Sequence, residues 1–573
     1  MPLRSRDPAE GRTGFRQPER ERTCEYCRGG QHIVHDHRRT PARYRPPKTE
    51  SLHALFRERS WDTMRIMGIG GGAREHAIAW KLGLSDHKPE IFWIAENRNP
   101  GIHKICRDNQ GELRTGRTTD AKTIVRSARG WGIDMVVVGP EEPGFHGIPD
   151  ALEKEGIHCI GATQELSVIE RSKADLRRLQ WENNLPGKLL FRTFKNAREA
   201  SDYIRKNIES QPWLQNIVIK PARQSGGKGV KLIEDRQVYL HDEKERFKEA
   251  YFDSLQASMA AYSDIEDKIL VEEKAWGPEY SLQCFTDGKT VLGTPLVQDN
   301  KSAHEFDSGP ETGGMGSISG PDMTLPFITR EEYDKSLKIV EGIVESIQKK
   351  TGKSYHGMVG GQMMLTENEG PTVIEMYSRL GDPEALNMLA MLKTDIIDIF
   401  QAIVERQLSK LKLEFTSEDA VVVKVVAPNG YPEKRDKAKG HPVQVLETNI
   451  KRNGCYLFWG NADLHEDGQV ITGGSRLLAL MGTDHTLPPA SARIEKTMSS
   501  VQLADGWGLY HRSDIGSQQL LAKRQDVAER VRPLYTYREE HGILGSRMGW
   551  VPRVGRIDPS HLMLQETHGP EKA

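Results

Sequence analysis

The chain has little cysteine, six residues in 573. They are too few and too scattered for a disulfide framework, so a reducing cytoplasm is the expected compartment. No apolar run approaches the roughly 20 residues that a membrane-spanning helix needs, and the first residues lack the apolar centre of a secretory signal. Charge of one sign is not in excess: 80 Lys plus Arg stand against 81 Asp plus Glu. A net charge of -1 gives no general affinity for nucleic acid or an anionic membrane. Internal repeats are absent, as is the Walker pattern GxxxxGK[ST]. What is present is a globular composition, 37% hydrophobic and 28% charged. The length exceeds one core, so about three to five domains are expected.

Residues 1–63 differ from the rest. They hold 13 Arg and one Lys, many Pro, and no helical or strand period. Such a segment buries little apolar surface and is expected to be a disordered extension. It carries Cys24 and Cys27 as CxxC, then His32, His35 and His37. Thiolate and imidazole are zinc ligands, but the spacing matches no standard finger, and the segment reads as a passive tail. A third reading is that the functional chain begins at Met64 or Met67, where a fold starts abruptly.

From there the fold class reads as α/β and α+β multidomain. Residues 64–167 read as an N-terminal substrate-binding domain on a parallel sheet. The strand RIMGI is followed by Gly70, Gly71 and Gly72 and then a helix pattern from Ala73. A glycine turn from strand into helix points backbone N–H groups at an anion; a tight turn that merely packs helix on strand fits equally. A second apolar run ends in Gly139-Pro140-Glu141, which places Glu141 at the carboxyl edge, where open α/β sheets bind ligands. Residues 168–416 read as the next domain, with a nucleotide region from about Glu170 to Thr286. The strand Ile217–Pro221 ends on Lys220, and Ser225–Val230 is a glycine loop able to fold over phosphates. The stretch TVIEMYSRLGDPEALN, 372–387, starts as a strand and then presents Glu375, Arg379, Asp382 and Glu384. A carboxylate suits a hard cation and an arginine suits a phosphoryl oxygen. Residues 417–521 read as an α+β C-terminal domain. The remainder, 522–573, is basic and then rich in Gly and Pro, and suggests no function.

Lys173 in RSKADLRR, Lys220 in VIKP, the loop SGGKGV, VEEKAWGPEYS and IEMYSRLGDPE together resemble an ATP-grasp ligase. GGGAREHA, GPEEP, GATQELSVIERSKA, VQDNKSAHEFDSGPETGGMGS, GQMMLT, VITGGSRLLALMG and YHRSDIG narrow the resemblance to the glycinamide ribonucleotide synthetase family, over roughly residues 64–521. The resemblance implies a pre-ATP-grasp domain, an ATP-grasp domain and a C-terminal closing domain. It implies that Lys173 and Lys220 hold ATP phosphates and that Gly226, Gly227, Lys228 and Gly229 form the lid. Glu272, with Glu273 beside it and the backbone near Ala275, would bind the adenine edge, and Glu279 the ribose. Gln362 and Glu375 would hold Mg2+ or Mn2+, and Arg379 would act as the catalytic group facing the transferring phosphoryl. Gly71, Gly72, Glu141, Asp299, Lys301, Gly313, Gly314 and Asp382 would surround glycine and phosphoribosylamine, with Asp307 as a second catalytic candidate.

Three positions depart from the family pattern. Tyr377 stands where the family has Asn as second metal ligand, and a neutral phenol is a weak ligand for a hard cation. Glu311 replaces the Asn of GPNTGG, and Ala73 replaces a Gly. No Ser, Cys or Lys nucleophile with a paired base is evident, so no covalent enzyme intermediate is required. The resemblance implies an enzyme of purine synthesis that activates glycine as an acyl phosphate with ATP and joins it to phosphoribosylamine. Its partners would be small molecules, with no nucleic acid or membrane, and it would be a monomer or dimer. Two other readings stay open: another ATP-grasp carboxylate–amine ligase with a different acceptor, and a nucleotide-binding relative without catalysis.

Overall fold

The computed structural model describes residues 64–208, 210–222, 231–233, 268–547, 549–551 and 555–557, all within one compact unit, Trp61–Ala573. The CxxC and histidine cluster, the loop carrying Gly226, Gly227, Lys228 and Gly229, and the last residues of the chain lie outside the described residues.

The N-terminal sheet is parallel throughout, as expected. Its order is Leu113–Thr115, Glu90–Ala95, Arg65–Ile69, Met135–Val138, His158–Ile160. Helices cover both faces of such a sheet, which is why Met135–Val138 is an unbroken apolar run, buried at every position. The carboxyl edge of this sheet presents the glycine turn and Glu141.

Two antiparallel sheets follow. One has the order Phe191–Phe194, Ile269–Glu273, Ile217–Pro221, Lys231–Ile233. The other runs Val291–Gly293, Glu279–Thr286, Gly357–Thr366, Gly370–Tyr377. The helix Arg330–Thr351 is started by a reciprocal Thr329 and Glu332 cap. It packs Tyr333, Ile339, Val340, Ile343 and Ile347 into the core beneath the second sheet.

A third sheet joins chain segments far apart in sequence. Gly316–Ser319 pairs with Ala420–Pro428, which pairs with Leu478–Asp484, which pairs with Cys455–Trp459. One sheet thus spans the expected boundary at 416/417. Two helices of the N-terminal domain dock on its far end: Asn99, which caps the helix Pro100–Asp108, donates through Nδ2 to Trp459 O at 2.8 Å, and Trp459 N donates to Nδ1 of His76 on the helix Ala73–Gly83 at 2.8 Å. The helix Gln518–Glu540 runs through the expected boundary at 521/522 and returns to the middle of the molecule. There Arg532 and Tyr535 both bond the fully buried carboxylate of Glu332. No helix among the described residues is long and apolar enough to cross a membrane.

Candidate active site

The two antiparallel sheets supply facing charged groups. On the first, Lys220 donates to Glu272 Oε2 at 2.6 Å, and Arg177, from the helix Lys173–Glu182, donates to Glu272 Oε1 at 2.7 Å. Both Lys220 and Glu272 are buried, in keeping with charges that are paired on leaving water. From the second sheet, Glu375 lies 3.5 Å from Lys173 and 3.9 Å from Lys301, and Lys301 lies 3.5 Å from Glu279. Burial disfavours charge on Glu375, but the ammonium groups of Lys173, Lys301 and Lys220 outweigh it and hold its pKa at about 2. Burial pushes the Lys173 ammonium down, opposed by Glu375 and aided by Lys220. The cluster therefore has Lys173, Lys220 and Lys301 in one place, able to exchange carboxylate partners for phosphate oxygens.

Glu272 and Glu273 part company here. Successive strand residues point to opposite faces. Glu272 faces Lys220, while Glu273 accepts from Leu190 N at 3.0 Å and from Arg547. The carboxylate of Glu273 is thus on the side away from the lysines. Ala275 lies two residues past the end of this strand, and Glu279 begins the next, accepting from Gln362 Nε2 at 3.0 Å.

Gln362 pairs in register with Glu375, as two donors to one ion require. Its oxygen already accepts from Tyr377 Oη at 2.5 Å and from Ser281 Oγ at 2.7 Å. Burial raises the Tyr377 phenol well above its usual range, so it is a neutral donor to Gln362. Among the described residues no group of three His, Cys, Asp or Glu is placed to hold a metal. The all-oxygen pair Glu375 and Gln362 still fits a hard divalent ion that keeps waters or shares phosphate oxygens. Tyr377 is oriented as a partner of Gln362.

Arg379 is clamped between two carboxylates, 3.0 Å from Glu170 and 3.4 Å from Glu141, and lies 4.8 Å from the Tyr377 ring centre. Glu170 is buried and also accepts from Ser378 N and Ser378 Oγ at 2.7 and 2.6 Å. Sequence reasoning missed Glu170, although it lies three residues before Lys173. Arg74 adds a link, donating to Leu380 O at 3.0 Å and standing 3.9 Å from Glu141.

A second group lies beside the first. Arg476 donates to Gly313 O at 2.6 Å and Gly314 O at 3.1 Å, and to Asp382 Oδ2 at 2.9 Å. Its loop was legible in the sequence, but Arg476 itself was not singled out. Gly314 has φ 102°, and a Cβ there would stand 2.5 Å from Asp299 Oδ1. Glycine is therefore required for both backbone shape and approach. Asp299 Oδ1 is buried and has no hydrogen-bond partner among the described residues. Burial and Glu384 raise the Asp299 pKa well above the usual carboxylate range, against the pull of Lys301 and Arg476. A carboxylate in that state calls for a cationic or N–H partner.

The N-terminal glycine turn closes this side. A Cβ on Gly72 would lie 3.8 Å from Asp382 Oδ2. The Gly72 N–H that was expected to face an anion donates at 2.7 Å to Glu75 of its own helix, and Gly71 is packed against Asn97. Asp307 is paired with cations of its own: Arg512, Lys523 and Arg524 surround it at 3.2, 3.0 and 2.8 Å. Glu311 is exposed on the strand Ser308–Glu311.

Comparison with known proteins fits this arrangement. Three family descriptions match in sequence: phosphoribosylglycinamide synthetase N domain over 64–170, ATP-grasp (A) domain over 171–385, and C domain over 421–518. The phosphoribosylamine–glycine ligase of Methanopyrus kandleri is 39% identical over 470 residues, 82% of this chain and 99% of that protein. The ligase of the same name from Pyrococcus horikoshii is 36% identical over 468 residues, 82% and 98% of the two chains. Among solved structures, the Thermotoga maritima phosphoribosylamine–glycine ligase shares the fold, with a TM-score of 0.60, 22% identity, and coverage of 79% of this chain and all of that one. The biotin carboxylase domain of Hydrogenobacter thermophilus 2-oxoglutarate carboxylase, solved with magnesium, ADP and bicarbonate, has a TM-score of 0.55 at 15% identity, over 84% and 98% of the two chains. The helix Gln518–Glu540 and Arg547 follow the end of the C-domain match. With matches to all three of its domains, in order, the chain belongs to the phosphoribosylglycinamide synthetase family.

Proposed function

We propose that this chain is the ATP-dependent carbon–nitrogen ligase of purine synthesis that joins glycine to 5-phosphoribosylamine, giving glycinamide ribonucleotide, ADP and phosphate. The observation that carries this reading is the meeting of Lys173, Lys220, Glu375 and Arg379 near Asp299, whose buried Oδ1 has no hydrogen-bond partner among the described residues. Enzymes of the ATP-grasp fold use ATP and divalent metal ions. Mg2+ or Mn2+, held by Glu375 and Gln362, would neutralise phosphate charge when bound.

In this reading Lys173 and Lys220 take the phosphate oxygens, leaving Glu375 for the metal and Glu272 to Arg177. Glu272, the backbone to Ala275, and Glu279 border the nucleoside. Asp299 receives the glycine ammonium, which aims the glycine carboxylate toward Arg379. One carboxylate oxygen attacks the γ-phosphorus and ADP leaves. The amine of phosphoribosylamine then attacks the acyl carbon of glycyl phosphate, phosphate departs with the electron pair of the C–O bond, and the amine loses a proton. Arg379, fixed by Glu170 and Glu141, offsets the charge on the transferring group. Gly72, Gly313, Gly314, Lys301, Asp382 and Arg476 border the acceptor side. The enzyme acts on these small molecules in the cytoplasm, as a monomer or dimer. In this reading the domains are 64–167, 168–416 and 417–521, although one sheet joins the last two and the helix Gln518–Glu540 crosses the final limit.

The test is ADP release by purified protein. It should require ATP, a divalent metal, glycine and phosphoribosylamine together, and the product should carry glycine in amide linkage. Release with glycine and a different amine, but not with phosphoribosylamine, would transfer the reading to another carboxylate–amine ligase.

A further inference from the structure

Arg547 lies in the C-terminal segment to which the sequence assigns no role. Its side chain is 6% exposed. It donates to Glu273 at 2.7 to 3.2 Å, to Glu369 at 2.7 Å, and to Lys188 O at 2.7 Å. Glu273 ends the strand Ile269–Glu273, one residue after Glu272 and two before Ala275. Glu369 sits in the turn between Gly357–Thr366, which carries Gln362, and Gly370–Tyr377, which carries Glu375. Glu369 also accepts from Gly187 N at 3.0 Å. One guanidinium thus joins a carboxylate from each of the two sheets that face each other across the candidate site. The segment that delivers it is itself anchored, through Arg532 and Tyr535 on Glu332.

A planar five-donor fork fixes two carboxylates in a way that a point charge does not. Burying both carboxylates without it would be costly, so the link should be kept in the native state. We propose that Arg547 is a positioning residue for the nucleotide. It sets the separation of the two sheets at one end of the cleft, and with it the edge formed by Glu272 to Ala275. This rests on the assignment of Lys220 and Glu272 to ATP.

The experiment uses the full chain and measures ATP affinity by calorimetry together with KM and kcat. Arg547→Met should raise the Kd and KM for ATP about tenfold, the scale of a lost charge-assisted bond. The KM for glycine and kcat should hold within about twofold. Arg547→Lys should recover part of the ATP affinity. If Arg547→Met fails to fold, Arg547→Met with Glu273→Gln and Glu369→Gln removes the stranded charges, and weakened ATP binding in that variant supports the proposal. Lys220→Ala is run in parallel. If Lys220→Ala loses ATP binding while the folded Arg547 variants keep wild-type affinity, Arg547 only stabilises the fold and the proposal is overturned. If Lys220→Ala also binds ATP normally, the nucleotide assignment fails and takes the proposal with it.

Discussion

Tyr377 donates a 2.5 Å hydrogen bond to the oxygen of Gln362, the same atom that the family resemblance assigns to the metal. The phenol replaces a potential ligand and also occupies a neighbouring one. Magnesium tolerates few protein ligands because it keeps its waters, so the site should work but bind weakly. Tyr377→Asn removes the competing donor and adds a carbonyl oxygen. It should tighten Mg2+ or Mn2+ binding by about 1 kcal/mol, the usual worth of one polar contact, and should raise turnover at limiting metal. Tyr377→Phe should give part of that gain. Metal titration by calorimetry decides it; loss of activity at every metal concentration would give Tyr377 a role of its own.

Glu170 ties Arg379 to the end of the strand at Ser378. It is buried, pairs with Arg379 at 3.0 Å, and accepts twice from Ser378. Glu170→Gln keeps the shape and removes the charge that fixes Arg379. We expect kcat to fall by about 10- to 100-fold, a loss of roughly 1.5 to 3 kcal/mol for a bond to a charged group, with ATP affinity nearly unchanged. A matching loss in ATP binding would place Glu170 in the nucleotide site instead.

The sequence exposed the strand-end charges, because an apolar run that terminates in Lys220 or leads to Glu375 leaves few readings other than a polar site. It left the Glu272–Glu273 pair unresolved, since a doublet does not say which member faces the cleft. Pairing with Ile217–Pro221 decides that, and it turns Glu272 to Lys220 and Glu273 to Arg547. Arg476 and Arg547 were hidden for a different reason. Their partners Asp382 and Glu273 are remote in sequence, and no local period encodes such a contact. Asp307 reads as a site residue from its motif, yet its cations come from the C-terminal segment. The sheet shared by Gly316–Ser319 and Ala420–Pro428 was equally invisible, because strand pairing between distant segments depends on register rather than composition.

Glu375 should make the fold sensitive to acid. Its pKa is lowered from the usual 4.5 to about 2, burial being outweighed by Lys173, Lys301 and Lys220. A lowered carboxyl pKa means that the unfolded chain takes up its proton first as pH falls. The stabilisation is therefore complete above the unfolded pKa and is lost as pH falls from about 4.5 toward the folded pKa. Glu375→Gln should lower Tm at pH 7, and the difference from wild type should shrink across that window. A difference independent of pH would mean that the lysine pairing contributes nothing to folding.

Asp299 should show the opposite sign. Burial and Glu384 raise its pKa, and Oδ1 has no partner among the described residues. The unfolded carboxyl ionises near pH 3.9, so above that value the folded state holds the proton longer. Stability then falls as pH rises toward the raised pKa, and the penalty is present once the folded group is charged. Asp299→Asn removes the penalty and should raise Tm at neutral pH while leaving it unchanged in acid. On the proposed assignment, the same substitution takes away the charge offered to the glycine ammonium. A charge-assisted bond is worth about 1.5 to 3 kcal/mol, so the KM for glycine should rise at least tenfold with the KM for ATP unchanged. A more stable protein that binds glycine poorly would mark Asp299 as a residue kept for substrate at the expense of the fold. A less stable variant with normal glycine kinetics would mean that the carboxylate is satisfied in the native state and that the ammonium is bound elsewhere.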